Sequence, residues 1–262
     1  MRLRARLLCA LAAIGFVSSL ACRTTGTLFR QYEYEEEVYL SLDGSATVYV
    51  NSSLAALNAL RGTAFDISPA ARVDSAAVRA YYASPATHVV RVSQSRRSNR
   101  RFVHIRLDVP DITKLGDAPP FAWSNYRFTR DGDLFIYRQA IGQAAARDVG
   151  NVGWSGSEIV AFRLHLPSKI RYHNTRRDVG RGNILVWEQL LSDRLRSLPV
   201  VSDVTAGVGV IDARMDAQSI LFTTLWLFGT TFLAVVVVFG AVIWWVMRRG
   251  AGDKSAPSRS GG

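Results

Sequence analysis

From Ile220 to Met247 the chain runs 28 residues without a charge, a His, an Asn, a Gln or a Pro, and its only polar side chains are Thr223, Thr224, Thr230 and Thr231. As a helix this run would rise about 42 Å, more than the roughly 30 Å apolar slab of a bilayer, so it spans with tilt or with its ends among the headgroups. Trp226 near one end and Trp244 and Trp245 near the other suit interfacial belts. Core helices of soluble proteins rarely run this far without a polar face. The segment 220–247 therefore reads as a transmembrane helix. Arg248 and Arg249 follow at once, and the tail 248–262 adds Lys254 and Arg259 against Asp253. The positive-inside rule puts that tail in the cytoplasm and the residues ahead of the helix outside.

At the other end Arg2, Arg4 and Arg6 precede an apolar run, Leu7 to Val17, and Ser18-Ser19-Leu20-Ala21-Cys22 follows. That is the layout of a secretory signal peptide over residues 1–21. Ser19 and Ala21 fit ordinary cleavage before Cys22, and the cysteine also resembles the acceptor of a bacterial lipoprotein box. Ser19 and Leu20 stand in the opposite order from the usual box, so lipidation of Cys22 and a plain cleaved terminus are both open readings. Two cysteines in 262 residues exclude a disulfide-rich scaffold. The formal net charge is +11, but over half of it lies in the N-terminal arginines and the tail. The exported part, 22–219, is only modestly basic, and nucleic acid is not an expected partner.

Within that part, Gln31 to Val50 alternates in two runs around Asp43-Gly44, which predicts a tight hairpin. Ser52 or Ser53 can cap a short helix carrying Leu54, Leu57 and Leu60, and Gly62 can close it. Ser68-Pro69 predicts the start of a second helix reaching about Tyr82. From His88 the period changes to two. Val90 and Val92, then Val103, Ile105, Leu107 and Val109, predict a second hairpin with Ser95 to Arg101 between its strands. Further strands are expected at 121–128, 133–139, 158–166, 183–189 and 203–213. Helices first and strands afterwards imply an α+β class: an antiparallel sheet with two short helices near the start of the exported domain, plus the C-terminal transmembrane helix.

The densest charge feature is Arg96, Arg97, Arg100 and Arg101, expected at a hairpin tip. A second basic stretch, Lys169, Arg171, Arg176, Arg177 and Arg181, is expected in a loop. Arginine forks suit phosphate and carboxylate oxygens, so both stretches are candidate contacts for anionic lipid or an envelope polymer. Solvated loops are the plainer reading. Catalytic signals are weak. Gly153-Trp154-Ser155-Gly156-Ser157 places Ser157 where a nucleophile elbow needs glycine. His88, His104, His165 and His173 are scattered, and no zinc spacing is present. His165 alternates with Val160, Phe162, Leu164 and Leu166 and so belongs to the opposite face. Trp123, Trp154 and Trp187 read as core aromatics.

The run Ile159-Val160-Ala161-Phe162-Arg163-Leu164-His165-Leu166-Pro167-Ser168-Lys169-Ile170, then His173-Asn174 and Gly182-Asn183-Ile184-Leu185-Val186-Trp187, resembles the C-terminal part of the LppM-type domain of bacterial envelope lipoproteins. The resemblance implies a signal peptide, an α+β ectodomain over roughly 31–213 and placement in the cell envelope. It implies no enzymatic chemistry and supplies no catalytic residue. The expectation is a single-pass protein of the bacterial cytoplasmic membrane whose extracytoplasmic domain is non-enzymatic and binds lipid, glycan or protein. No cofactor or metal is expected. An envelope-associated hydrolase is the alternative.

Overall fold

The computed structural model describes residues 30–179, 183–200 and 209–251. Cys22, the N-terminal apolar run, Arg181 and the end of the basic tail lie outside them. The class is α+β, built on two sheets rather than one. Strand β1 (Tyr32–Leu40) turns through Asp43 and Gly44 into β2 (Ala46–Ser53), as the alternation predicts. Gly44 takes φ +87, a turn conformation that strains side chains bearing a Cβ. Ser53 then caps helix α1 (Leu54–Arg61) by accepting the Ala56 N–H at 3.0 Å, and Gly62 ends it in the left-handed region.

The second helix differs from expectation. Helix α2 is Ser75–Tyr82, capped by the Asp74 carboxylate on the N–H groups of Ala76 and Ala77, both at 2.9 Å. Residues 68–73 precede it without helix. An acceptor two and three residues ahead of free N–H groups overrides the Ser68-Pro69 signal. Strands β3 (His88–Arg97) and β4 (Arg100–Val109) form the second hairpin. After two short 3-10 segments, Ile112–Asp117 and Pro119–Phe121, come β5 (Ser124–Asp131) and β6 (Leu134–Ile141). Strands β7 (Ile159–His165), β8 (Ser168–His173) and β9 (Ile184–Leu190), the short helix α3 (Leu191–Leu195) and β10 (Val210–Ser219) complete the domain.

The larger sheet has the order β3-β4-β2-β1-β7-β9 and is mixed, because β1 and β7 pair in parallel; the smaller, β5-β6-β10-β8, is antiparallel. The parallel pair joins residues more than 120 positions apart, and no local pattern reports such a pairing. Tyr32 pairs with Ile159 and Tyr34 with Val160, so two residues of β1 face one step of β7. This bulge turns Glu33 and Tyr34 inward together, and both are buried. Glu36, Val38 and Leu40 continue the inner face. Val48, Val50, Leu57, Val103, Ile105 and Leu107 make a dry core under α1 and α2. Tyr126, Tyr137, Ile211 and Met215 of the smaller sheet close the rest.

Strand β10 passes directly into α4 (Ile220–Ala251), four residues longer than the apolar run, and the Ile220 N–H donates to the Pro167 carbonyl at 3.3 Å. The helix is long and apolar enough to cross a membrane. Leu221, Leu227, Phe232 and Phe239 are each more than 60% exposed, so no protein surface among the described residues covers it. At its end Arg248 and Arg249 lie over Trp244 and Trp245, with 5.0 and 3.8 Å to the ring centroids. Such stacking holds both cations beside the aromatic end of the apolar run.

Candidate functional site

The four arginines of the second hairpin do not form one exposed patch. Ser98 and Asn99 both take positive φ, 47 and 59, so the turn is a two-residue one and the strands extend further than the hydrophobic pattern shows. Arg97 then pairs across the strands with Arg100, and Arg96 with Arg101. Like charges in opposite positions repel. Each side chain has gone to a different acceptor. Arg96 bonds the Asn99 side chain, Arg97 bonds the Tyr32 carbonyl and lies 4.5 Å from the Phe102 ring centroid, and Arg101 donates to the Pro69 carbonyl at 3.1 Å.

Arg100 corrects the expectation of a solvated tip, because it is buried. Its Nε and Nη2 donate to Glu33 Oε1 at 3.1 and 2.9 Å, and Nη1 reaches the carbonyls of Val152 and Gly153 at 3.2 and 3.0 Å. The β1 bulge aims Glu33 inward and so supplies the partner. The Trp154 indole N–H, 3.3 Å from Glu33 Oε2, completes the pair's surroundings.

The second stretch is partly strand rather than loop. Lys169 and Arg171 stand on β8, at the edge of the smaller sheet, where alternating charges disguise the period. Arg171 clamps Asp216 through two bonds of 2.5 and 2.8 Å, which holds that carboxyl below its usual range. Arg177 donates to Glu188 at 2.6 Å, and Arg176 is exposed beside it. Tyr32 and Arg30 also bond Glu188.

Position along the sheets separates the hairpin arginines from Lys169 and Arg171, whereas Arg177, on the Glu188 that Tyr32 also bonds, lies on the hairpin's side. Pro167 and Ser168, level with Ser219, mark the end where the chain leaves for α4. Strand β1 runs from Tyr32 at the opposite end to Tyr39 opposite His165, seven residues or roughly 23 Å away. The hairpin arginines, bonded to Tyr32 and Glu33, thus sit at the end remote from α4. Lys169 and Arg171 sit near it.

The elbow-like sequence 153–157 folds otherwise. The Glu158 carboxylate accepts the N–H groups of Ser155 and Gly156 at 2.7 and 2.8 Å and the Ser155 hydroxyl at 3.1 Å. Burial raises the pKa of this carboxyl, but the backbone donors outweigh it and the net shift is downward. His165 lies on the outer face, bonded to Glu37 at 2.6 Å and stacked on Tyr39. That bond, against the opposing effect of burial, lowers the Glu37 pKa.

A cluster that sequence reasoning missed lies between the sheets. Glu36, 1% exposed, accepts from Tyr34 Oη at 3.0 Å, Tyr126 Oη at 2.8 Å and Gln139 Nε2 at 2.9 Å. Arg61 Nη2 donates to Tyr34 Oη at 2.7 Å and stands 4.0 Å from Glu36, and its guanidinium stacks on Trp123. Arg194 of α3, 2% exposed, lies 5.8 Å from the same ring centroid and donates to the Gly142 carbonyl at 3.0 Å. Two signals were available: Glu36 shares the parity of Tyr34, Val38 and Leu40, and Arg61 is seven residues after Leu54 on the apolar stripe of α1. Among the described residues no group of His, Cys, Asp and Glu has the arrangement of a metal site.

No family model matches the chain, and no curated protein matches it. Among solved structures, the chain is similar to the NMR structure of the folded domain of Mycobacterium tuberculosis LppM, with a TM-score of 0.37 and 14% identity over 72% of this chain and 92% of that one.

Proposed function

We propose that this is a membrane-anchored protein of the bacterial cell envelope whose exported domain works by binding rather than by catalysis. The observation that carries the reading is α4, an uncovered apolar helix continuous with β10 and ended by two arginines stacked on tryptophans. In this reading α4 spans the cytoplasmic membrane once, residues 248–262 lie inside, and the α+β domain lies outside. Cys22 is the candidate for acylation, which would tether the second end of the domain.

The ligand that fits best is an anionic envelope polymer or a protein met on the side away from the anchoring bilayer. The hairpin arginines support this, since they stand at the end remote from α4. Lys169 and Arg171, close to Ser219, suit the headgroups beneath the domain.

The topology carries the test. Protease added to the outer face of the cytoplasmic membrane should digest the α+β domain and spare the tail from Arg248, as read by antibodies to each part. A tail cleaved from outside would overturn the reading.

A further inference from the structure

The cluster around Trp123 is rich in donors and poor in acceptors. Arg61 Nε and Nη1, Arg194 Nε and Nη1, Trp123 Nε1 and Ser124 Oγ are all buried without a hydrogen-bond partner among the described residues. Buried donors left unpaired are costly, and guanidinium groups more so. The one carboxylate of the cluster, Glu36, already accepts from Tyr34, Tyr126 and Gln139, so it cannot serve these six atoms. Two guanidinium groups against one carboxylate leave one positive charge in excess within the cluster. Burial, and then the charge of Arg61, pulls the Arg194 pKa down, which reports the same strain.

Trp123, Ser124 and Gly142 also form walls of a cavity of about 390 Å³ that continues past Gly116, Asp117 and Ala122. Gly142 is the residue whose carbonyl takes the Arg194 side-chain hydrogen bond. A Cβ at Gly142 would stand 2.5 Å from the Trp123 carbonyl, so this wall admits no other side chain. Trp123 and Ser124 thus line a space large enough for a small molecule, and Arg61 and Arg194 stand behind that wall, one on the Trp123 ring and the other on the Gly142 carbonyl.

We propose that Arg61 and Arg194, with the Trp123 indole N–H and the Ser124 hydroxyl, form an internal binding site for a small oxyanion, reached through the cavity beside Trp123. An oxyanion supplies several acceptors at once and cancels the excess charge, and its paired oxygens match the guanidinium forks. Carboxylates and phosphate share this chemistry. Halide offers one centre and lacks the bidentate match. The site is independent of membrane topology and of the hairpin arginines.

The test is the melting temperature of the full chain in detergent, titrated separately with acetate and with phosphate at ionic strength held constant by sodium chloride. At a hundredfold excess over Kd, one of the two should raise it by roughly 5 °C, and which one does so separates carboxylate from phosphate. Arg194→Met should abolish the rise. Glu36→Gln, which removes the competing negative charge, should steepen it, and this variant keeps both arginines should the first fail to fold. No rise with either anion, or a rise of unchanged slope in both variants, would overturn the proposal.

Discussion

The two ends of the folded domain use their charged residues differently. Near α4, Arg171 is clamped to Asp216, Arg130 turns back onto the Gly132 carbonyl at 3.0 Å, and Lys169 is exposed. At the remote end four arginines crowd one hairpin, yet one is buried on Glu33 and the others lean on local acceptors. Density of arginine in a sequence is therefore a poor measure of free positive charge. What decides is whether the fold brings an acceptor, and here a bulge in β1 brings one from 67 residues away. The remote end is thus held together by an ion pair and presents a smaller cationic surface than its sequence announces.

Breaking the ion pair should produce the largest effect. Arg100→Ala leaves Glu33 buried without its cation and frees the 149–153 loop, and should cost about 3–5 kcal/mol in denaturant unfolding of the detergent-solubilised chain. The double variant E33L/R100M, which restores apolar packing, should recover most of that loss. A cost below about 1 kcal/mol for Arg100→Ala would mean that the remote end does not depend on the pair.

The other three hairpin arginines, two exposed and Arg101 half-buried, should behave in the opposite way. Replacing Arg96, Arg97 and Arg101 together by Ser should change stability by less than about 1 kcal/mol, because solvated cations contribute little to folding. The same variant should elute earlier from a sulfated-polysaccharide column at low salt, and the difference should vanish as salt rises. Identical retention of variant and wild type would return these side chains to the role of solvated surface.

Much of the local structure was legible in the residues. Asp43-Gly44 announced the first hairpin, and Ser53 and Gly62 bracketed α1, because turns and caps are decided by neighbours in sequence. The Ser98-Asn99 turn was legible in principle, but the surrounding arginines masked the strand period, and Lys169 and Arg171 masked β8 in the same way. The parallel pairing of β1 with β7 was not legible, since register between distant strands is set by the assembled core. The site cluster was hidden for a related reason. Glu36 reads as one acid in a run of three, and only the approach of Tyr126 and Gln139 from the other sheet makes it an interior acceptor. Arg194 belongs to a five-residue helix whose sequence gives no sign of burial.

Under the proposed anchoring the two ends differ in which of them faces the bilayer, and this can be measured directly. The full chain with Cys9 and Cys22 replaced by Ser would carry a fluorophore at either Ser98→Cys or Asp133→Cys, in nanodiscs whose headgroups bear a quencher. Asp133 sits on the β5–β6 turn, where its carbonyl accepts the Ala217 N–H at 2.9 Å, two residues before Ser219. The label at 133 should be strongly quenched and the label at 98 nearly untouched. Equal quenching at both positions, or stronger quenching at 98, would contradict an arginine hairpin held away from the anchoring membrane.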